Sequence, residues 1–69
     1  MKLSARNQLP GKVKKIETGM IVAEIVIELD GGGEITSIIT KKAMENLGLT
    51  VGKKVHAVIK STEVMVAAD

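Results

Sequence analysis

The sequence predicts an all-β chain with one short helix, and three observations carry that expectation. Residues 20–29 read MIVAEIVIEL, rich in β-branched side chains and alternating in polarity over most of their length. Breaks bearing Gly or Pro, LPGK at 9–12, DGGG at 30–33 and TVGKK at 50–54, divide the chain into strand-length pieces. Only over 40–49 does the apolar spacing change to that of a helix.

In order, LPGK is expected as a turn or a strand kink, because Pro10 has no N–H and Gly11 tolerates unusual dihedrals. VKKIETG at 13–19 is a strand ending at Gly19. MIVAEIVIEL is the clearest strand, with Ala23, Ile25, Ile27 and Leu29 on one face and Glu24 and Glu28 on the other. DGGG is a hairpin loop, and EITSIIT at 34–40 returns as the next strand. In TKKAMENLGL the residues Ala43, Met44 and Leu47 share a helix face, Thr40 is the N-cap, and Gly48 closes the helix. VHAVIK at 55–60 and TEVMVA at 62–67 are two more strands, separated by a break at Ser61. The sum is a five-stranded OB-like barrel in one domain, residues 1–69.

Such a short chain buries only about 60% of the surface it exposes when unfolded. Small domains add disulfides, a metal or partner subunits. There is no Cys, and a single His cannot build a zinc site, so self-association is the remaining route. The chain has no Phe, Tyr or Trp. That disfavours an OB-type nucleic-acid-binding module, which stacks bases on aromatic rings. A net charge of +2 suits small anions better than a long phosphate backbone. No signal segment or membrane-length apolar run is present, so the expected location is cytoplasmic, without a membrane partner.

Little here suits catalysis, and the chain is not expected to be an enzyme. His56 alternates onto the face of Val58 and Lys60, as a partly exposed strand histidine. The carboxylates are scattered, with no metal-loop spacing. What remains are hydrogen-bond donors in three places: Ser4, Arg6 and Asn7; Thr40 with the start of the helix; and Lys60, Ser61 and Thr62. Lys41 and Lys42 lie in the first helical turn, where the helix dipole disfavours cations unless an anion binds nearby. A donor-rich site favours a fully deprotonated tetrahedral dianion. Monohydrogen phosphate would leave its proton unpaired there, at about 1–3 kcal/mol.

SARNQLPGKV at 4–13, ITSIITKKAMENLGLTVGKKV at 35–55 and AVIKSTEVMV at 57–66 resemble the molbindins. These are molybdenum-pterin-binding-type (Mop) proteins related to molybdate-binding TOBE domains of transport ATPases and molybdate-responsive regulators. The resemblance implies a homohexamer, a trimer of strand-exchanging dimers. It also implies molybdate or tungstate held between subunits by hydrogen bonds alone, for storage or homeostasis. Carried over by position, Ser4, Arg6, Thr40, Lys60 and Ser61 would line the oxyanion site, with Asn7, Lys41 and Thr62 secondary. Many relatives have serine where this chain has Ala43, which removes one hydroxyl. Pterin is not expected, because its ring wants a flat apolar or aromatic slot. The competing reading is a ligand-free structural oligomerisation domain.

Overall fold

A computed structural model describes residues 1–69. Four strands form one antiparallel sheet: β1 (Asn7–Thr18), β2 (Val22–Leu29), β3 (Glu34–Thr40) and β4 (Lys54–Ile59), in spatial order β3-β2-β1-β4. A six-residue helix, α1 (Lys41–Asn46), follows β3, and a 3₁₀ turn over Ser61–Glu63 follows β4. The sheet curls. Its two edges face each other across a cleft between Ile35, Thr36 and Ser37 on one side and His56 to Ile59 on the other, without pairing.

The alternation in β2 sets the core. Ala23, Ile25 and Ile27 are buried, joined by Val13 from β1 and Ala57 from β4. Leu29, Ile35, Ile39, Met44, Leu49 and Val55 pack around them, half-buried. Glu24 and Glu28 belong to the opposite face. Lys12, Lys14 and Lys15 form exposed ion pairs with Glu28, Glu34 and Glu17 at 3.8, 2.8 and 2.7 Å. Glu34 raises the Lys14 pKa chiefly by its hydrogen bond, and Lys15 lowers that of Glu17 in the same way.

Three features depart from the expected strand plan. LPGK is neither a turn nor a break, because β1 begins at Asn7 and runs through it. An extended residue points its N–H and C=O to the same side. The Pro10 carbonyl accepts from the Asp30 N–H at 3.0 Å, so its missing N–H faces the region beyond the β2 ladder. No rung to β4 is lost. Second, the irregularity in β1 is a bulge at Lys14: Val13 pairs with Ile27 but Lys15 with Val26. The inward set changes phase there, from Gly11 and Val13 to Ile16, and the extra residue increases local twist.

Third, the chain has four strands, and residues 62–67 form none. Val64 is extended, at φ −93° and ψ 120°, but Met65 and Val66 are 93% and 92% exposed. A strand exists only beside another, and this segment has no partner within its own chain.

The helix ends as its sequence requires. Gly48 takes φ 63°, with Gly48 N–H donating to Glu45 O and Leu49 N–H to Met44 O at 3.0 and 3.2 Å. That is the paired-bond termination glycine permits. Lys53 Nζ adds bonds to Leu47 O and Gly48 O at 2.7 and 3.2 Å.

Gly11 is fixed for a different reason. A Cβ there would lie 2.4 Å from the Glu28 carbonyl oxygen, inside the sheet. Gly11→Ala is therefore expected to cost about 1–3 kcal/mol and to lower the melting temperature by at least roughly 4 °C. Thermal unfolding followed by far-UV circular dichroism measures this, and an unchanged melt would contradict the close approach.

Candidate functional site

The register of β1 on β4 joins the two ends of the chain. Asn7 pairs with Ile59, so Arg6 and Lys60 are the next positions beyond the ladder, and Ser4 and Ser61 follow them. The Asn7 side-chain amide donates to Ile59 O at 3.3 Å, which locks this corner and gives Asn7 a structural task. Gln8 Nε2 donates to Ala5 O at 2.7 Å and holds the bend that carries Ser4 and Arg6. On the other side the 3₁₀ turn positions Ser61 and Thr62, with Glu63 N–H donating to Lys60 O at 2.9 Å. Ser4, Arg6, Lys60, Ser61 and Thr62 are all exposed, and Arg6 and Lys60 have no carboxylate partner. The only carboxylate in the turn is Glu63.

Thr40 lies elsewhere. It pairs with Val22 at the far end of the sheet, on the edge strand opposite β4. Along the ladder the two corners lie toward opposite ends of the 12-residue β1, while the curl of the sheet brings the two edges near enough for Ser37 and Ile59 to line one cleft.

At the Thr40 corner the helix offers fewer donors than its sequence suggests. Thr40 Oγ1 accepts from Ala43 N–H at 3.0 Å, as the expected N-cap. The Lys41 N–H donates to Ile21 O at 2.7 Å. Lys42 N–H has no partner among the turn and cap bonds, and the Thr40 hydroxyl retains its proton to donate. Ala43 contributes its backbone to the cap, so the absent serine hydroxyl leaves this bond intact.

The clefts are lined mostly by apolar side chains, and none is lined by Ser4, Arg6, Thr40, Lys60 or Ser61. One of about 180 Å³ is lined mainly by Ile25, Ile27, Ile39, Leu47, Leu49 and Val55. His56, itself exposed on β4, borders it. No three His, Cys, Asp or Glu side chains gather as a metal-binding group. No helix is long and apolar enough to cross a membrane.

Sequence reading missed the adjacency of Asn7 and Ile59 and the bend made by Gln8, since neither motif records the register that joins them. It could have found the bulge, because Val13 and Ile16 are spaced by three where a regular strand would need two.

Comparison with known proteins gives a consistent result. Residues 3–66 match the TOBE domain family. The chain is 53% identical over 68 residues to molybdenum-pterin-binding protein 1 of Clostridium pasteurianum, covering 99% of this chain and 100% of that one. Its fold is similar to that of MopII from Clostridium pasteurianum, with a TM-score of 0.92 at 49% identity over 97% of this chain and 100% of the other. It is also similar to the cytoplasmic molybdate-binding protein ModG with molybdate bound, with a TM-score of 0.83 and 54% identity. That match covers 88% of this chain and 43% of ModG.

Removal of the cap hydroxyl tests the Thr40 geometry. Thr40→Ala is expected to destabilise the chain by about 1 kcal/mol, lowering the melting temperature by roughly 4–8 °C, while Thr40→Ser retains most of the parent stability. Equal melting of Ala and Ser variants would remove the capping role.

Proposed function

The chain belongs to the TOBE-domain family, among its molybdenum-pterin-binding-type members, and from that membership we propose that it binds molybdate or tungstate at sites shared between subunits. The observation that carries this reading is the corner where β1 meets β4. There Ser4, Arg6, Lys60 and Ser61 bring exposed donors from both chain ends together. A guanidinium, an ammonium and two hydroxyls suit a tetrahedral dianion without covalent metal ligation. Asn7 and Thr62 flank them as secondary contacts, and Lys41 flanks Thr40 at the other corner.

In this reading Thr40 enters the site from a neighbouring chain, since its own chain pairs it with Val22 on the edge strand opposite β4. The exposed Val64–Val66 segment supports the same assembly. In this reading it is the fifth strand, exchanged with a neighbour, and six chains associate as a trimer of dimers with residues 1–69 as one domain each. The β3 and β4 edges are free to receive such a strand. The bound species is the bare oxyanion and not a pterin, since no aromatic ring is available to stack on one. Binding for storage or homeostasis, in the cytoplasm as for ModG, requires no catalytic group.

Thermal unfolding in phosphate-free buffer tests the ligand. Molybdate or tungstate at about 100 times the dissociation constant is expected to stabilise by roughly 2.7 kcal/mol, a shift on the order of 10 °C. Sulfate and phosphate are expected to shift it far less. Arg6→Ala should abolish the molybdate shift without dissociating the oligomer, and Lys60→Ala should weaken it non-additively. Equal, negligible shifts with all four anions would leave a ligand-free assembly domain. A monomer by native mass spectrometry would overturn the shared site.

A further inference from the structure

Charge is unevenly divided along this chain. Residues 1–12 and 53–60 contain Lys2, Arg6, Lys12, Lys53, Lys54 and Lys60 and no carboxylate, a formal charge of +6. The remaining residues hold four cations and all eight carboxylates, a charge of −4, which restores the net +2. The fold brings the two acid-free segments together as the β1/β4 pair.

Alternation then sorts their side chains. The inner row is Asn7 with Ile59, Leu9 with Ala57 and Gly11 with Val55. The outer row is Gln8 with Val58, Pro10 with His56 and Lys12 with Lys54. Continued one step outward, that row ends at Arg6 and Lys60. Lys12 and Lys54 are directly opposite each other, an arrangement that costs a sheet stability. Both are exposed, and only Lys12 has a carboxylate nearby, Glu28 at 3.8 Å. Lys14 and Lys15, farther along β1, are instead paired with Glu34 and Glu17. Lys53 is engaged with helix carbonyls.

We propose that the outer face of the β1/β4 pair is an electrostatic approach track, along which Lys12 and Lys54 steer oxyanions to the Arg6/Lys60 corner without touching the bound ligand. The proposal rests on the oxyanion-binding reading above and assigns these lysines to its association step. Six residues of strand separate Lys12 from Arg6, roughly 20 Å, or about two and a half Debye lengths at physiological salt. Cations at that range do little for an anion already held by hydrogen bonds, but they raise its local concentration on approach. A dianion responds with twice the energy of a monoanion, so the track also favours doubly charged ligands. The like-charge pair that weakens the sheet thereby acquires a use.

The test is the association rate for radiolabelled molybdate, by rapid filtration on the assembled protein, at about 10 mM and about 0.5 M ionic strength. Lys12→Gln/Lys54→Gln is expected to slow association by about threefold or more at low salt. Dissociation should be unchanged, and the difference should vanish at high salt. Lys14→Gln/Lys15→Gln, the same change of net charge farther along β1, should leave the rate unaltered. Matching circular dichroism melts and oligomer masses verify that the variants fold. An unchanged association rate in the Lys12→Gln/Lys54→Gln variant, an effect confined to dissociation, or equal slowing by Lys14→Gln/Lys15→Gln would overturn the track while leaving the binding site in place. Failure of the parent protein to bind molybdate would overturn the oxyanion reading itself.

Discussion

β1 is hydrogen-bonded on both sides, and its approach to β2 at Gly11 governs how the rest of the chain is arranged. With no side chain at that point, the strand lies against the Glu28 carbonyl, leaving Val13 buried beside Ile27. The same strand holds β4 through six paired positions from Asn7 to Lys12. Both ends of the sequence reach one corner because of this double engagement. The sheet core and the donor corner are thus two consequences of one register.

The core this produces is small. Five buried aliphatic side chains, none larger than isoleucine, support the whole sheet. Meanwhile Met20, Ile21, Leu47, Val51, Met65 and Val66 are exposed by more than half. A chain with this distribution gains more by associating with copies of itself than by rearranging internally. In the proposed assembly, the apolar surface and the split donor set answer the same need, since burying the former completes the latter.

Local features were the most legible in the sequence. The buried face Ala23–Ile25–Ile27 follows from period-two alternation, and Thr40 and Gly48 cap the helix through contacts within a few residues. The strand expected over 62–67 was misread because β-propensity describes a surface seeking a partner and cannot supply that partner. LPGK misled for a related reason. Pro and Gly usually mark turns, but here the pairing arrangement accommodates the missing N–H of Pro10, and the close approach requires the missing Cβ of Gly11. The open donors expected at the helix start are reduced by Ile21, whose carbonyl takes the Lys41 N–H from a distant turn. Arg6 and Lys60 could be read as individual candidates, but their neighbourhood depends on a pairing that neither motif encodes.

The bulge at Lys14 divides β1 into two half-strands whose inward-facing sets are out of step. One half is tied to β4 and carries the donor corner, while the other is bound only to β2 and leads towards the helix. The surplus residue therefore acts as a phase joint between two modules. Changes in length at that joint can be absorbed as a different twist, whereas the same change within either half would turn its apolar row out to water. For anyone recombining pieces of such chains, position 14 is the natural seam.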